Sequence, residues 1–139
     1  MQLENRVAMV TGAGQGVGEG IARRLHSAGA TVVIAEYNAE SGQAVADSMG
    51  RARFLAMDVC DREQVVAGIE HTLAEFVQLD ILVTNAYPTC TPPARLENRR
   101  DDEFRRALDG GFMGPWWAMQ AAFPSMRDNG WGRVINLCS

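Results

Sequence analysis

With 139 residues, 47% of them hydrophobic and 22% charged, the sequence fits one domain with a core of its own, and its formal net charge of −4 argues against a nucleic-acid partner. All 13 basic residues are arginine, so a Gly-Lys-Ser/Thr phosphate loop cannot be built. No stretch is long and apolar enough to span a membrane, residues 1–6 lack the apolar run of a signal peptide, and Cys60, Cys90 and Cys138 form no Cys-x-x-Cys pair, which predicts a cytoplasmic protein with reduced thiols and no metal site.

Residues 7–10 are an apolar run that enters a turn with glycine at 12, 14, 16 and 18. Beyond it Val17, Ile21, Leu25 and Ala28 recur on one helical face. The pattern predicts a strand over 7–11, a tight turn, and a helix over 16–27 that stops at Gly29. Glycine serves where φ is positive or where backbone must come close to a ligand. A helix opening there points free N–H groups and a positive dipole end at the turn, which suits a phosphate. The plainer alternative is an ordinary strand-to-helix turn with surplus glycine.

The β-branched run 31–35 is too apolar to alternate and reads as a strand buried on both faces, ending in Glu36. A helix is predicted over 40–49, closed by Gly50. A third strand over 53–57 ends in Asp58-Val59. Asp61 reads as the N-cap of an amphipathic helix marked by Val65, Val66, Ile69, Leu73 and Phe76. Residues 81–84 form a fourth strand, ending in Asn85-Ala86-Tyr87. Residues 88–100 carry Pro88, Pro92 and Pro93 and read as a loop.

Phe104, Leu108, Phe112, Trp116, Met119, Phe123 and Met126 then recur at helical spacing up to Gly130, and 134–137 is a fifth strand. Pro115 has no N–H, and its ring crowds the carbonyl of Gly111. With Gly110, Gly111 and Gly114 alongside, a kink or break that frees the Gly111 carbonyl is predicted. Trp116 and Trp117 are expected in helix packing or a subunit interface. Strands alternating with helices imply a parallel sheet with right-handed crossovers, whose ligands sit at the carboxyl ends of the strands. Glu36 stands at such an end. An acid there accepts hydrogen bonds from both ribose hydroxyls of a nucleotide and repels a 2′-phosphate.

The turn reads Thr11-Gly12-x-x-x-Gly16-x-Gly18 rather than the common Gly-x-Gly-x-x-Gly. It resembles the short-chain dehydrogenase/reductase family, and the resemblance continues strand by strand. It implies a Rossmann-type doubly wound parallel sheet, strand order 3-2-1-4-5, in a single domain over 1–139 that stops short after the fifth strand. It also implies a nicotinamide dinucleotide held by Thr11, Gly12, Gly14, Gln15, Gly16, Val17 and Gly18, by Glu36 and Tyr37, by Asp58 and Val59, and by Asn85, Ala86 and Tyr87. In the family the aspartate matching Asp58 bonds the adenine amino group. NADP-preferring relatives often place a basic residue at position 15 or 37. Gln15 and Tyr37 stand there, so NAD is expected over NADP.

Gly132-Arg133-Val134-Ile135-Asn136-Leu137-Cys138-Ser139 resembles the family's fifth strand, which makes Ser139 the catalytic serine that bonds the substrate oxygen. The implied reaction is hydride transfer between a secondary alcohol or carbonyl and nicotinamide. A tyrosine phenol moves the proton, and a lysine four residues later lowers its pKa. No Tyr-x-x-x-Lys occurs, since Tyr37 precedes Ser41 and Tyr87 precedes Thr91 by four. That motif lies beyond the serine in the family, so this chain is expected to stop before it and to be inactive alone.

Three further positions depart from the family, Thr84, Tyr87 and Gly111. Thr84-Asn85-Ala86-Tyr87 stands for Asn-Asn-Ala-Gly, and Gly111 stands for a catalytic asparagine. The expected partners are a small alcohol or carbonyl substrate and, at full length, further copies in a dimer or tetramer; no nucleic acid and no membrane is expected. Two rival readings remain. One is a non-catalytic nucleotide-binding or regulatory module, favoured by Gly111 and the absent lysine. The other is a methyltransferase, disfavoured because Val10 stands where that fold places an acid.

Overall fold

The computed structural model describes residues 2–88 and 94–138. Cys90, Pro92, Pro93 and the expected catalytic Ser139 lie outside the described residues. Five strands, β1 (Val7–Thr11), β2 (Thr31–Glu36), β3 (Ala52–Ala56), β4 (Ile81–Thr84) and β5 (Arg133–Asn136), form one parallel sheet in the order 3-2-1-4-5. Helices α1 (Gly16–Ser27), α2 (Ala39–Asp47), α3 (Arg62–Phe76), α4 (Asp101–Leu108) and α5 (Gly114–Asp128) accompany them. Residues 96–98 in the expected loop form one 3-10 turn.

Every residue of β1 and β4 is buried, and so are the four inner residues of β2. Burial on both faces is why these strands read as continuous apolar runs rather than alternating ones. Side chains still alternate between two cores. Ala8, Val10, Ile34 and Val83 meet Ala22 and Val45 on one side of the sheet. Met9, Val33 and Leu82 meet Val65, Ile69, Ala118 and Met126 on the other. The helix caps follow the side chains available. Asn38 accepts the Ser41 N–H at 3.1 Å to open α2, and Asp61 accepts those of Glu63 and Gln64 to open α3.

Two expectations are corrected. Val17, expected on the inner face of α1, is exposed, and α1 buries Gly18 and Ala22 instead. The helix expected through Phe104 to Met126 is two helices joined by a wide turn over Asp109–Met113, in which the Gly114 N–H reaches back five residues to the Asp109 carbonyl. The helix widens by one residue at the glycines beside Pro115 but keeps helical backbone throughout, so it is not interrupted there. Proline is tolerated at the start of α5, where no intrahelical donor is needed. Phe104, Leu108, Phe112, Trp116 and Phe123 lie exposed, while Ala118, Ala122 and Met126 of α5 join Val65 and Ile69 of α3 in the core. Small side chains let those two helices approach closely.

At the rim where the strands begin, Asp80 is buried although ionisable. Its carboxylate accepts from Arg6 Nη1 at 2.8 Å, the Val7 N–H at 2.8 Å and Gln78 Nε2 at 2.9 Å. Its carbonyl accepts the Arg133 N–H at 2.8 Å. The Trp131 ring carries the guanidinium of Arg6 at 3.9 Å and that of Arg133 at 4.8 Å from its centroid. Asp80 thus ties the start of β1 through its carboxylate and the start of β5 through its main-chain carbonyl. All four residues of β5 are exposed, and the strand is held by this clasp at its start and by its pairing with β4 along its length.

Candidate cofactor cleft

At the opposite rim the strand ends open on a cleft of about 710 Å³. The turn after β1 forms its floor. Gly12 and Gly16 hold φ of 64° and 58°, where a side chain would be strained. A Cβ on Gly18 would overlap the Gly12 carbonyl oxygen. No side chain caps α1 at Gln15, so the first N–H groups of that helix are left for an anion.

Thr11 and Gly14, expected among the cofactor contacts, stand behind the cleft wall instead. The Thr11 hydroxyl accepts the N–H groups of Asn85 and Ala86, both at 3.0 Å, and the Asn85 amide donates back to the carbonyls of Thr11 and Gly12 at 3.0 and 3.1 Å. These bonds lock the ends of β1 and β4 together, with the side chain of Thr11 buried between them. The Gly14 N–H donates to Glu36 Oε2 at 2.9 Å, and the Asn38 N–H donates to Oε1 at 3.0 Å. Two backbone donors therefore fix the Glu36 carboxylate where it borders the cleft, and each oxygen keeps a lone pair for a further donor.

Asp58 is held in the same way at the end of β3. The Cys60 N–H donates to Oδ1 at 2.9 Å, and Arg106 Nη2 reaches Oδ2 from α4 at 3.2 Å. The Asp58 hydrogen bond and charge push the Arg106 pKa further up. Burial, then the Asp58 charge, push the Cys60 thiol above its ordinary value and keep it protonated at neutral pH.

The wide turn between α4 and α5 meets the ends of β3 and β4 through its glycines. A Cβ on Gly110 would lie 2.6 Å from Pro88 Cδ and 2.9 Å from Cys60 Sγ. One on Gly114 would lie 2.5 Å from the Val59 carbonyl oxygen. A Cβ on Gly111 would lie 2.9 Å from Cε2 and 3.2 Å from Cδ2 of Tyr87. Tyr87 and Gly111, two of the three positions that depart from the family pattern, thus lie against each other, the ring of one beside the bare backbone of the other. Pro115 cannot donate to the Gly111 carbonyl.

Gly12, Gln15, Gly16, Val17, Gly18, Glu36, Tyr37, Asp58, Val59, Asn85, Ala86 and Tyr87 all line the cleft, as the sequence reading expects. That reading misses Asn38, Met57, Cys60, Pro88 and Arg106, which line it too. Pro88 and Cys60 directly follow residues already singled out, and that adjacency is the available signal for them. Nothing local marks Arg106. Among the described residues no group of three or more His, Cys, Asp or Glu is placed to hold a metal ion.

Known proteins share both this geometry and this sequence. The family model for short chain dehydrogenase matches residues 6–139. An uncharacterized oxidoreductase of Staphylococcus aureus (strain MW2) is 34% identical over 139 residues, which is 99% of this chain and 59% of that protein. L-fucose dehydrogenase of Oryctolagus cuniculus is 35% identical over 134 residues, 95% of this chain and 46% of that one. The crystal structure of a metagenomic short-chain oxidoreductase in complex with NADP superposes with a TM-score of 0.94 at 30% identity, covering 100% of this chain and 64% of that one. The chain therefore spans 59% of the length of the bacterial oxidoreductase it matches. A glycine turn feeding an uncapped helix, an acid fixed at the end of the second strand and a family match across nearly every residue lead to one conclusion: the chain belongs to the short-chain dehydrogenase family.

Proposed function

We propose that residues 1–139 form one dinucleotide-binding domain of a cytoplasmic oxidoreductase that uses NAD in preference to NADP. In this reading the glycine turn and the N-terminus of α1 hold the pyrophosphate, and Glu36 takes the adenosine ribose. Asp58 meets the adenine, and Ser139 bonds the oxygen of a small alcohol or carbonyl substrate. Bound there, the dinucleotide supplies or accepts the hydride. The chain contains no Tyr-x-x-x-Lys, so by itself it is expected to bind cofactor without turnover. The exposed apolar residues of α4 and α5, with Trp116 among them, support association of the full-length protein with further copies of itself.

One observation carries the preference for NAD: the Glu36 carboxylate is pinned by the N–H groups of Gly14 and Asn38 and cannot swing away from a 2′-phosphate. No basic residue stands at position 15 or 37 to offset it. The metagenomic relative was crystallised with NADP, so the choice is a property of each chain and has to be measured. Calorimetric titration of the chain is expected to give NAD the lower Kd by about tenfold or more, the scale of two like charges ~4 Å apart at intermediate dielectric. Glu36→Ala should close that gap, and tighter NADP binding by the unmodified chain would overturn the reading.

A non-catalytic nucleotide module is the second reading, favoured by the Tyr87 ring that covers the space beside Gly111. Absence of turnover by the full-length protein across alcohol and carbonyl substrates, with NAD still bound, would select it.

A further inference from the structure

We propose that Arg106, together with Asp58, reads the adenine base. This role rests on the cleft holding an adenine dinucleotide. Arg106 leaves α4 and crosses to the end of β3, where its Nη2 stands 3.2 Å from Asp58 Oδ2. The second Asp58 oxygen is held by the Cys60 N–H at 2.9 Å, so the carboxylate cannot rotate out of the pairing. The Arg106 side chain keeps 51% of its surface exposed and that of Asp58 keeps 18%, both along the cleft. A guanidinium carries five N–H donors in a rigid fork, most of which Asp58 leaves free.

A carboxylate oxygen beside a guanidinium N–H presents an acceptor next to a donor. The edge of adenine presents the complement, with the 6-amino donor beside a ring-nitrogen acceptor. A purine with a carbonyl at position 6, such as guanine, puts an acceptor against the Asp58 oxygen. The pair is therefore built to accept adenine and to penalise a 6-oxopurine. Attraction of the pyrophosphate explains Arg106 less well. The glycine turn that would hold it follows β1, and Arg106 meets the end of β3, two strand spacings or about 10 Å away.

The test compares two dinucleotides, NAD and its 6-oxopurine analogue nicotinamide hypoxanthine dinucleotide. Both are titrated calorimetrically into the unmodified chain, Arg106→Leu and Arg106→Lys, with circular dichroism to verify folding. The unmodified chain should prefer NAD. Arg106→Leu should weaken NAD by about tenfold, the scale of one hydrogen bond to a charged group, and leave the analogue within about twofold. Arg106→Lys keeps the charge but loses the side-by-side donors, and it should shift the ratio the same way.

Equal weakening of both dinucleotides by Arg106→Leu overturns the proposal, and so does a wild-type ratio in Arg106→Lys, which would leave a purely electrostatic role. In either case the cleft still binds NAD, so the cofactor reading survives. An unmodified chain that binds neither dinucleotide overturns that reading and the Arg106 assignment together.

Discussion

Two glycine-rich turns border the cleft, and their glycines are there for different reasons. In the turn after β1, Gly12 and Gly16 hold positive φ, and Gly18 faces the Gly12 carbonyl only six residues back. Its demands are internal, a conformation and a clearance that the turn imposes on itself. In the turn between α4 and α5 no glycine has positive φ. Gly110, Gly111 and Gly114 stay bare because Pro88, Cys60, Tyr87 and the Val59 carbonyl, from other parts of the chain, come to rest on them. The first turn is a shape that sequence alone can specify. The second is half of a fit, whose other half lies at the ends of β3 and β4.

The comparison can be broken at either turn. The largest effect is expected at the first. Gly18→Ala drives a Cβ into backbone that the turn cannot move, which should cost about 3 kcal/mol in denaturant unfolding and remove NAD binding. A loss below about 1 kcal/mol would mean that the turn is softer than its geometry implies.

At the second turn the neighbour is a side chain that can tilt, so Gly111→Ala should cost only about 1 kcal/mol. Tyr87→Ala in the same chain should recover most of it, with a coupling of about 0.5 kcal/mol or more in a double-mutant cycle. Strict additivity would show that ring and glycine do not act as a pair.

The smallest effect concerns the thiol seated on Gly110. Burial and the Asp58 charge both disfavour the Cys60 thiolate, which is the nucleophile. Its alkylation by iodoacetamide should be slow at neutral pH and rise only beyond the ordinary thiol range of about 8.5. Asp58→Asn removes a negative neighbour and should move that rise to lower pH. Fast labelling of Cys60 at neutral pH would show that the contact with Gly110 is loose.

The same contrast explains what could be read in the sequence. β1, β4 and α1 run over the residues their patterns predict, because each residue there meets a uniform environment, two-sided burial or one helical face. Glu36 and Asp61 were legible because strand ends and helix starts are local positions. The expected stripe from Phe104 to Met126 failed on both sides of the wide turn, with Phe104 and Leu108 exposed before it and Trp116 and Phe123 after it, because helical spacing marks an apolar face without saying what covers it. Arg106 left no trace because its partner lies 48 residues away and a single pair of side chains has no period. A disturbance of the helix beside Pro115 could be foreseen, since proline carries its own constraint, although its form as a widened turn could not. The ring that fills the space beside Gly111 could not, since tyrosine at position 87 specifies nothing about where its ring will rest.

The buried Asp80 clasp has a mechanical consequence. β5 is an edge strand, paired with β4 along all four of its residues and open on its other side, and it runs about 13 Å toward the cleft rim. A slip of such an edge by about a third of one residue's rise displaces its end by about 1 Å. An error of that size in placing a reacting group costs an enzyme about a hundredfold in rate. The course of β5 is therefore set along this whole edge, beginning at the far rim, where the Asp80 carbonyl accepts the Arg133 N–H and its carboxylate accepts from Arg6. Substitutions there, remote from any cofactor or substrate, should be felt as loss of alignment before they are felt as loss of fold.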